Sequence, residues 1–201
     1  MRKVKIAVLV SGGGTNLGAL IKAQKSGVLK SGKIALVISN NKNAYALTRA
    51  KNANIPTETV IKSELGSQEA FEERLISILE DNKIEIIVLA GFMTILSSTF
   101  TKKYDERIIN VHPSLIPSFC GKGYYGLKVH EEALKRGVKV TGATVHFVNE
   151  IPDGGKIIMQ KAVAIKDGDT PEILQKRVMR LAEWVILPRS CEKVCAELKG
   201  E

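Results

Sequence analysis

The stretch Val4-Lys5-Ile6-Ala7-Val8-Leu9-Val10-Ser11-Gly12-Gly13-Gly14-Thr15-Asn16-Leu17 decides the fold. Its apolar run reads as a buried strand and its glycines as a tight turn. Thr15 or Asn16 reads as the cap of a helix that carries Leu17, Leu20 and Ile21 on one face and ends near Gly27. A strand that hands over directly to a helix begins a βαβ unit, and the pattern recurs downstream. Residues 34–38 predict a second strand, 43–53 a helix, 55–60 a third strand, 67–82 a helix, and 84–90 the most apolar strand. That alternation predicts an α/β fold with a Rossmann-like, doubly wound, mostly parallel sheet.

Beyond residue 100 the pattern changes. Residues 108–111 predict a short strand ending at His112-Pro113, followed by a Pro-, Gly- and Ser-rich loop over 114–126 and a helix over 128–135. Residues 140–148 and 155–165 are long β-rich segments, which predict an antiparallel extension of the sheet. Asp169-Thr170-Pro171-Glu172 reads as a helix start with an acid at the N-cap and another at N3. Leu174, Val178, Leu181 and Val185 form the apolar stripe of that helix, and Pro188 interrupts or kinks it. Without a repeat or linker in the sequence, its 201 residues read as a single domain.

Composition narrows the function. At 44% hydrophobic and 25% charged residues, the chain is neither disordered nor fibrous. The longest apolar run, Ile86 to Met93, is too short to cross a bilayer, and the apolar run after Met1 is too short for a secretory signal. Three cysteines without paired spacing fit reduced thiols, so the expected location is the cytoplasm. The net charge is +9, and its distribution says more than its size. Residues 1–57 hold ten Lys or Arg and no acid; the first carboxylate is Glu58. Such a half attracts anions. With 5% aromatics and no basic stripe interleaved with stacking residues, a phosphorylated small molecule fits better than a nucleic acid.

The glycine turn can be tested against two phosphate motifs, and it fails both. A dinucleotide fingerprint needs glycine where Leu17 stands and an acid about 20 residues on. The P-loop needs Gly-Lys-Ser/Thr where Leu17-Gly18-Ala19 stands. What is left is a bare structural turn or a phosphate cradle without a nucleotide code, and the acid-free surroundings favour the cradle.

Asn110 and His112 alternate along a strand and so project from one face, at the carboxyl end of the sheet. An amide donor beside an imidazole suits a reaction in which negative charge develops on a carbonyl oxygen. Asp153, in a Pro-Asp-Gly-Gly loop, is the candidate partner that would favour imidazolium and relay a proton. Read structurally, the same residues are a strand end and a common turn. Cys191 and Cys195 lack the partners of a zinc site. Cys120 reads as a bystander thiol, His146 as a core histidine, and His130 as a helix surface residue. Glu183, out of phase with the apolar stripe, reads as part of a solvated face.

Four segments together resemble the phosphoribosylglycinamide formyltransferase family, folate-dependent enzymes of purine synthesis. They are Val10 to Leu17, Leu89-Ala90-Gly91-Phe92-Met93, Ile109-Asn110-Val111-His112-Pro113-Ser114-Leu115-Ile116-Pro117, and Thr144 to Val148 continued through Asp153-Gly154-Gly155. The resemblance implies formyl transfer from 10-formyltetrahydrofolate, as co-substrate, to the amine of glycinamide ribonucleotide, with no metal and no nucleotide cofactor. It implies a catalytic trio of Asn110, His112 and Asp153. It implies that Gly13, Gly14, Thr15, Asn16 and Glu183 hold the phosphate and sugar of the ribonucleotide. It implies folate contacts from Met93, Thr94, Ile95, Leu96, Asn110, Val148, Asn149, Glu150 and Asp153. Residues 1–100 would then be the phosphate-binding half and 101–201 the folate-binding and catalytic half. The implied partners are small molecules, with no nucleic acid and no membrane, and the chain would act as a monomer or homodimer.

Three departures from the family pattern are visible. Thr94 stands where many members have Arg, Gln68 stands where some carry Arg near the substrate phosphate, and the loop from Cys120 to Lys128 differs from the commoner, shorter type. Two other readings are a hydrolase that deformylates the folate with water as acceptor, and a non-catalytic nucleotide- or nucleic-acid-binding module. The second leaves Asn110, His112 and Asp153 without a role.

Overall fold

Strand β1 (Val4–Val10) is central, and both its faces are covered. Ile6, Val8 and Val10 enter one apolar layer, while Ala7 and Leu9 enter the other. A strand buried on both sides needs a continuous apolar run rather than an alternating one. The computed structural model describes residues 2–200. Its other strands are β2 (Gly32–Ser39), β3 (Thr57–Thr59), β4 (Ile86–Leu89), β5 (Ile108–His112), β6 (Val140–Phe147) and β7 (Ile157–Ala164). The seven strands lie in the order β3-β2-β1-β4-β5-β6-β7. The pairings from β3 to β5 are parallel, and β6 and β7 join antiparallel. The fold is therefore the expected Rossmann-like sheet with an antiparallel extension.

The helices are α1 (Thr15–Ser26), α2 (Tyr45–Asn52), α3 (Lys62–Leu65), α4 (Gln68–Asp81), α5 (Ser98–Lys103), α6 (Lys128–Arg136), α7 (Pro171–Val178) and α8 (Trp184–Lys199). Phe71, Leu75, Ile78 and Leu79 of α4 and Phe100 of α5 cover one face of the sheet. Leu17 and Leu20 of α1, with apolar residues of α7 and α8, cover the other. Burying a side chain of this size contributes about 1.5–3 kcal/mol. Short helices α3 and α5 have too few residues to show an apolar period, and sequence reading misses them. Strand β3 is shorter than the expected 55–60; Pro56, which has no N–H to donate, stands just before it.

Three local expectations are corrected. The N-cap of α1 is Gly14, with φ 68°, rather than Thr15 or Asn16. An added Cβ at Gly14 would lie 2.6 Å from the Cβ of Ala46, so only glycine fits between turn and α2. The cap of α7 is Thr170, whose hydroxyl accepts from the amide of Ile173 at 3.3 Å. Glu172 stands at the second helical position, and Asp169 instead forms a bidentate pair with Arg177.

The third correction matters most. Between α7 and α8, Met179–Glu183 forms a π turn. One extra residue per turn advances the helix phase. The apolar stripe therefore runs from Val178 to Ala182 and Ile186, and Leu181 is left 49% exposed. Glu183, on the solvated side of a regular helix, is rotated inward and is only 7% exposed. Pro188 lies inside α8 without ending it.

Candidate active site

Strand β5 ends at the carboxyl edge of the parallel sheet and carries Asn110 and His112 on one face. The antiparallel register of β6 sets His146 opposite Asn110 and Thr144 opposite His112. The Nδ1–H of His146 donates to the carbonyl of Phe147 at 2.7 Å. Its Nε2 lies 3.3 Å from the Asn110 amide nitrogen. His146 is buried, as expected, but it faces the cluster. Sequence reading misses this role because the signal lies in the β5–β6 pairing and not in either strand alone.

Asp153 reaches the same point from the loop after β6. Its backbone is in the left-handed region, at φ 56°. The loop is fixed at Gly155, where an added Cβ would lie 1.8 Å from the carbonyl oxygen of Phe147. Oδ2 of Asp153 lies 3.5 Å from Nδ1 of His112, and Oδ1 lies 3.5 Å from Nε2 of His146. Asn110, His112 and Asp153 thus converge from separate segments, with His146 as a fourth member.

The long loop after β5 closes over this cluster through its backbone. The Nε2–H of His112 donates to the Phe119 carbonyl at 2.8 Å, and the Gly121 amide donates to Oδ2 of Asp153 at 2.8 Å. Burial lowers the pKa of His112, and the Asp153 charge and the Phe119 hydrogen bond offset this only in part. The expected drive toward imidazolium is present but is outweighed by burial. Burial also acts to raise the pKa of Asp153, but hydrogen bonds and charge from His146, His112 and Gly121 hold it below the ordinary value.

His130 is 1% exposed, which corrects its reading as a helix surface residue. Burial and the His112 charge bring its pKa down to about 4. As pH falls from 6.5 toward 4, the unfolded chain binds a proton at this histidine that the folded chain refuses. His112 acts in the same direction, and Asp153 loses its stabilising charge at still lower pH. Stability is therefore full above about pH 6.5 and falls on acidification. We expect a loss of about 2 kcal/mol between pH 7 and 4.5, read from urea midpoints, and a smaller loss in His130→Leu. Equal losses in both proteins would remove His130 from this account.

The glycine turn lies at the same carboxyl edge of the sheet, two strands from β5. The first amides of α1 lack partners within the helix, as at any helix start. Asn16 is turned away from capping: its amide donates to Oε2 of Glu183 at 2.9 Å. Burial raises the pKa of Glu183, partly offset by that hydrogen bond. The π turn thus joins the turn after β1 to an acid 167 residues later in the chain.

On the other side, the Met93 amide donates to the Ser11 hydroxyl at 2.8 Å, tying the loop after β4 to the glycine turn. Met93 and Ile95 are 57% and 75% exposed, while Leu96 is buried. Thr94 accepts from the Asn40 amide at 2.8 Å. A hollow of about 540 Å³ runs along these residues and is also lined by Lys62 and Gln68. Gln68 donates to the Ile95 carbonyl at 3.1 Å, so it stands on this apolar wall. Val148 and Asn149 are half-buried, and Glu150 is exposed. Cys191 and Cys195 are buried free thiols, and Cys120 is a partly exposed one. Among the described residues there is no group of three or more His, Cys, Asp or Glu suited to hold a metal ion, and no helix is long and apolar enough to cross a membrane.

Known proteins share this architecture. The family model described as "Formyl transferase" matches residues 4–190. The phosphoribosylglycinamide formyltransferase of Escherichia coli is 41% identical over 92% of this chain and 84% of its own length. The trifunctional purine biosynthetic protein adenosine-3 of Gallus gallus is 45% identical over 96% of this chain, which spans only 19% of that larger protein. Among solved structures, the phosphoribosylglycinamide formyltransferase of Coxiella burnetii, in complex with CHES, superposes with a TM-score of 0.89 at 40% identity, covering 98% of this chain and 89% of that one. Glycinamide ribonucleotide transformylase 1 of Symbiobacterium toebii superposes with a TM-score of 0.90 at 36% identity, covering 97% and 89%.

Proposed function

The chain belongs to the formyl transferase family, and from that premise we propose that it passes a formyl group from 10-formyltetrahydrofolate to the amine of glycinamide ribonucleotide in purine biosynthesis. The observation that carries this reading is the gathering of Asn110, His112 and Asp153 around His146 at the carboxyl edge of the sheet, the edge that also carries the glycine turn joined to Glu183. The names of the relatives and solved structures support formyl transfer to glycinamide ribonucleotide.

The residues fit both substrates. The turn at Gly13, Gly14, Thr15 and Asn16 presents helix-start amides to a phosphate, and the Glu183 carboxylate suits sugar hydroxyls. The exposed Met93 and Ile95, in the loop after β4, give a flat ring system an apolar wall, and Thr94, Leu96, Val148, Asn149 and Glu150 would complete that side. The bound folate supplies the formyl carbon.

When the amine attacks that carbon, its carbonyl oxygen takes up negative charge. Asn110 donates to that oxygen through its amide, and His112 donates through Nε2–H. For His112 to do so, its hydrogen bond to Phe119 must be exchanged for one to substrate, which requires a shift of the loop after β5. Asp153 holds His112 in this orientation, and with water it accepts a proton from the attacking nitrogen; as the tetrahedral intermediate collapses, the bond from the formyl carbon to the folate nitrogen breaks and that nitrogen leaves with the proton, relayed through His112. His146 fixes the Asn110 amide. No metal and no nucleotide cofactor enter these steps. We place the reaction in the cytoplasm, in a monomer or homodimer, with the phosphate half at 1–100 and the folate half at 101–201.

The test is formyl transfer measured with and without glycinamide ribonucleotide. Folate turnover that requires the ribonucleotide is expected; deformylation at the same rate without it would favour the hydrolase. Glu183→Gln is expected to raise the ribonucleotide KM about tenfold, in line with one or two weakened hydrogen bonds to a charged group. The folate KM should change little. An unchanged ribonucleotide KM would detach Glu183 from the sugar.

A further inference from the structure

Helices α1 and α8 leave a second cavity on the outer side of the glycine turn, with a volume of about 600 Å³. It runs along one face of α1 from Thr15 to Ser26, a length of about 16 Å at the rise of an α-helix. A lone phosphate would fill a small part of it. Its rim carries Lys22, Arg49, Arg180 and Arg189, and no carboxylate lines it. Arg49 is held in place: its Nε–H donates to the Gly13 carbonyl at 2.8 Å, and its guanidinium lies 5.0 Å from the Tyr45 ring centroid. Among the described residues none of these four cations has an acidic partner within ion-pair distance, whereas Arg2 and Arg177 each have one. Gathering four like charges around one concavity costs electrostatic energy that a bound anion would relieve.

The floor adds a second requirement. Trp184 and Pro188 line the cavity. A flat apolar floor and a cationic rim together select a ligand with an unsaturated ring and a phosphate. We propose that this groove binds a nucleoside monophosphate, at a site that adjoins the ribonucleotide turn through Thr15 and lies apart from Asn110, His112 and Asp153. The site does not depend on the identity of the transfer reaction, and its test needs neither folate nor ribonucleotide.

Trp184 is the single tryptophan of the chain, so its fluorescence reports on the groove directly. Adenosine 5′-monophosphate titrated into the whole protein is expected to give a saturable change in emission that weakens as salt rises. Inorganic phosphate at equal ionic strength should bind at least tenfold more weakly. The double variant Lys22→Glu/Arg189→Glu, at two exposed positions, should raise the dissociation constant at least tenfold. Lys25→Glu, on the same helix but outside the groove, should leave it within twofold. Four results would each overturn the proposal: no saturable change, equal binding of inorganic phosphate, unaltered binding in the double variant, or equal weakening in Lys25→Glu. The last would trace the effect to diffuse charge.

Discussion

Replacing His112 by alanine is expected to lower the turnover of formyl transfer by about 10³-fold or more while changing either KM by less than about fivefold. The size follows from what the side chain offers. Removing one donor to a developing oxyanion costs about 2.7–4 kcal/mol of transition-state stabilisation. A positioned proton carrier is worth about 10²–10⁴-fold. These contributions belong to one group and are not additive, so the larger sets the expectation. The small KM effect follows because the donor meets charge that exists only after attack has begun. His112→Asn retains a short donor and much of the volume, so it should recover part of the lost rate if the donor matters most. His112 is buried, so a thermal melt must accompany the kinetics. A folded His112→Ala protein with near-normal turnover would remove this residue from the reaction.

The sheet was legible in the sequence because its strands are buried on both faces. Such strands must be apolar along their length, and residues 6–10 and 86–89 are. The antiparallel extension was legible from two long β-rich segments. Pairings between distant segments were not. His146 joins the cluster through the register of β5 with β6, which no local pattern encodes. Glu183 shows the same limit in a helix. Phase counting at 3.6 residues per turn sends it to solvent, and only the π turn over Met179–Glu183 brings it to Asn16. The resemblance pointed to Glu183 where periodicity pointed away. A polar residue on a short helix suggests exposure, whereas His130 is buried, and burial with the His112 charge keeps it neutral to about pH 4.

Asp153→Asn should reduce turnover by about 10²–10³-fold with the ribonucleotide KM nearly unchanged. The substitution keeps shape and volume but removes a charge that lies 3.5 Å from two imidazoles. Two consequences separate a chemical role from a structural one. The first is the pH profile. The Asp153 charge raises the pKa of His112 against the opposing effect of burial. Without it, the step in the pH–rate profile that belongs to His112 should move to lower pH. A purely structural aspartate would lower the rate at every pH alike. The second is a comparison within the chain. Asp169 is also paired, to Arg177, but it serves the start of α7 and lies outside the cluster. Asp169→Asn should lower the melting temperature and leave kcat within about twofold, since its effect is on folding alone. If Asp153→Asn behaves like Asp169→Asn, losing stability but keeping both rate and pH profile, then the carboxylate belongs to the loop and the proton must leave the attacking nitrogen by another route.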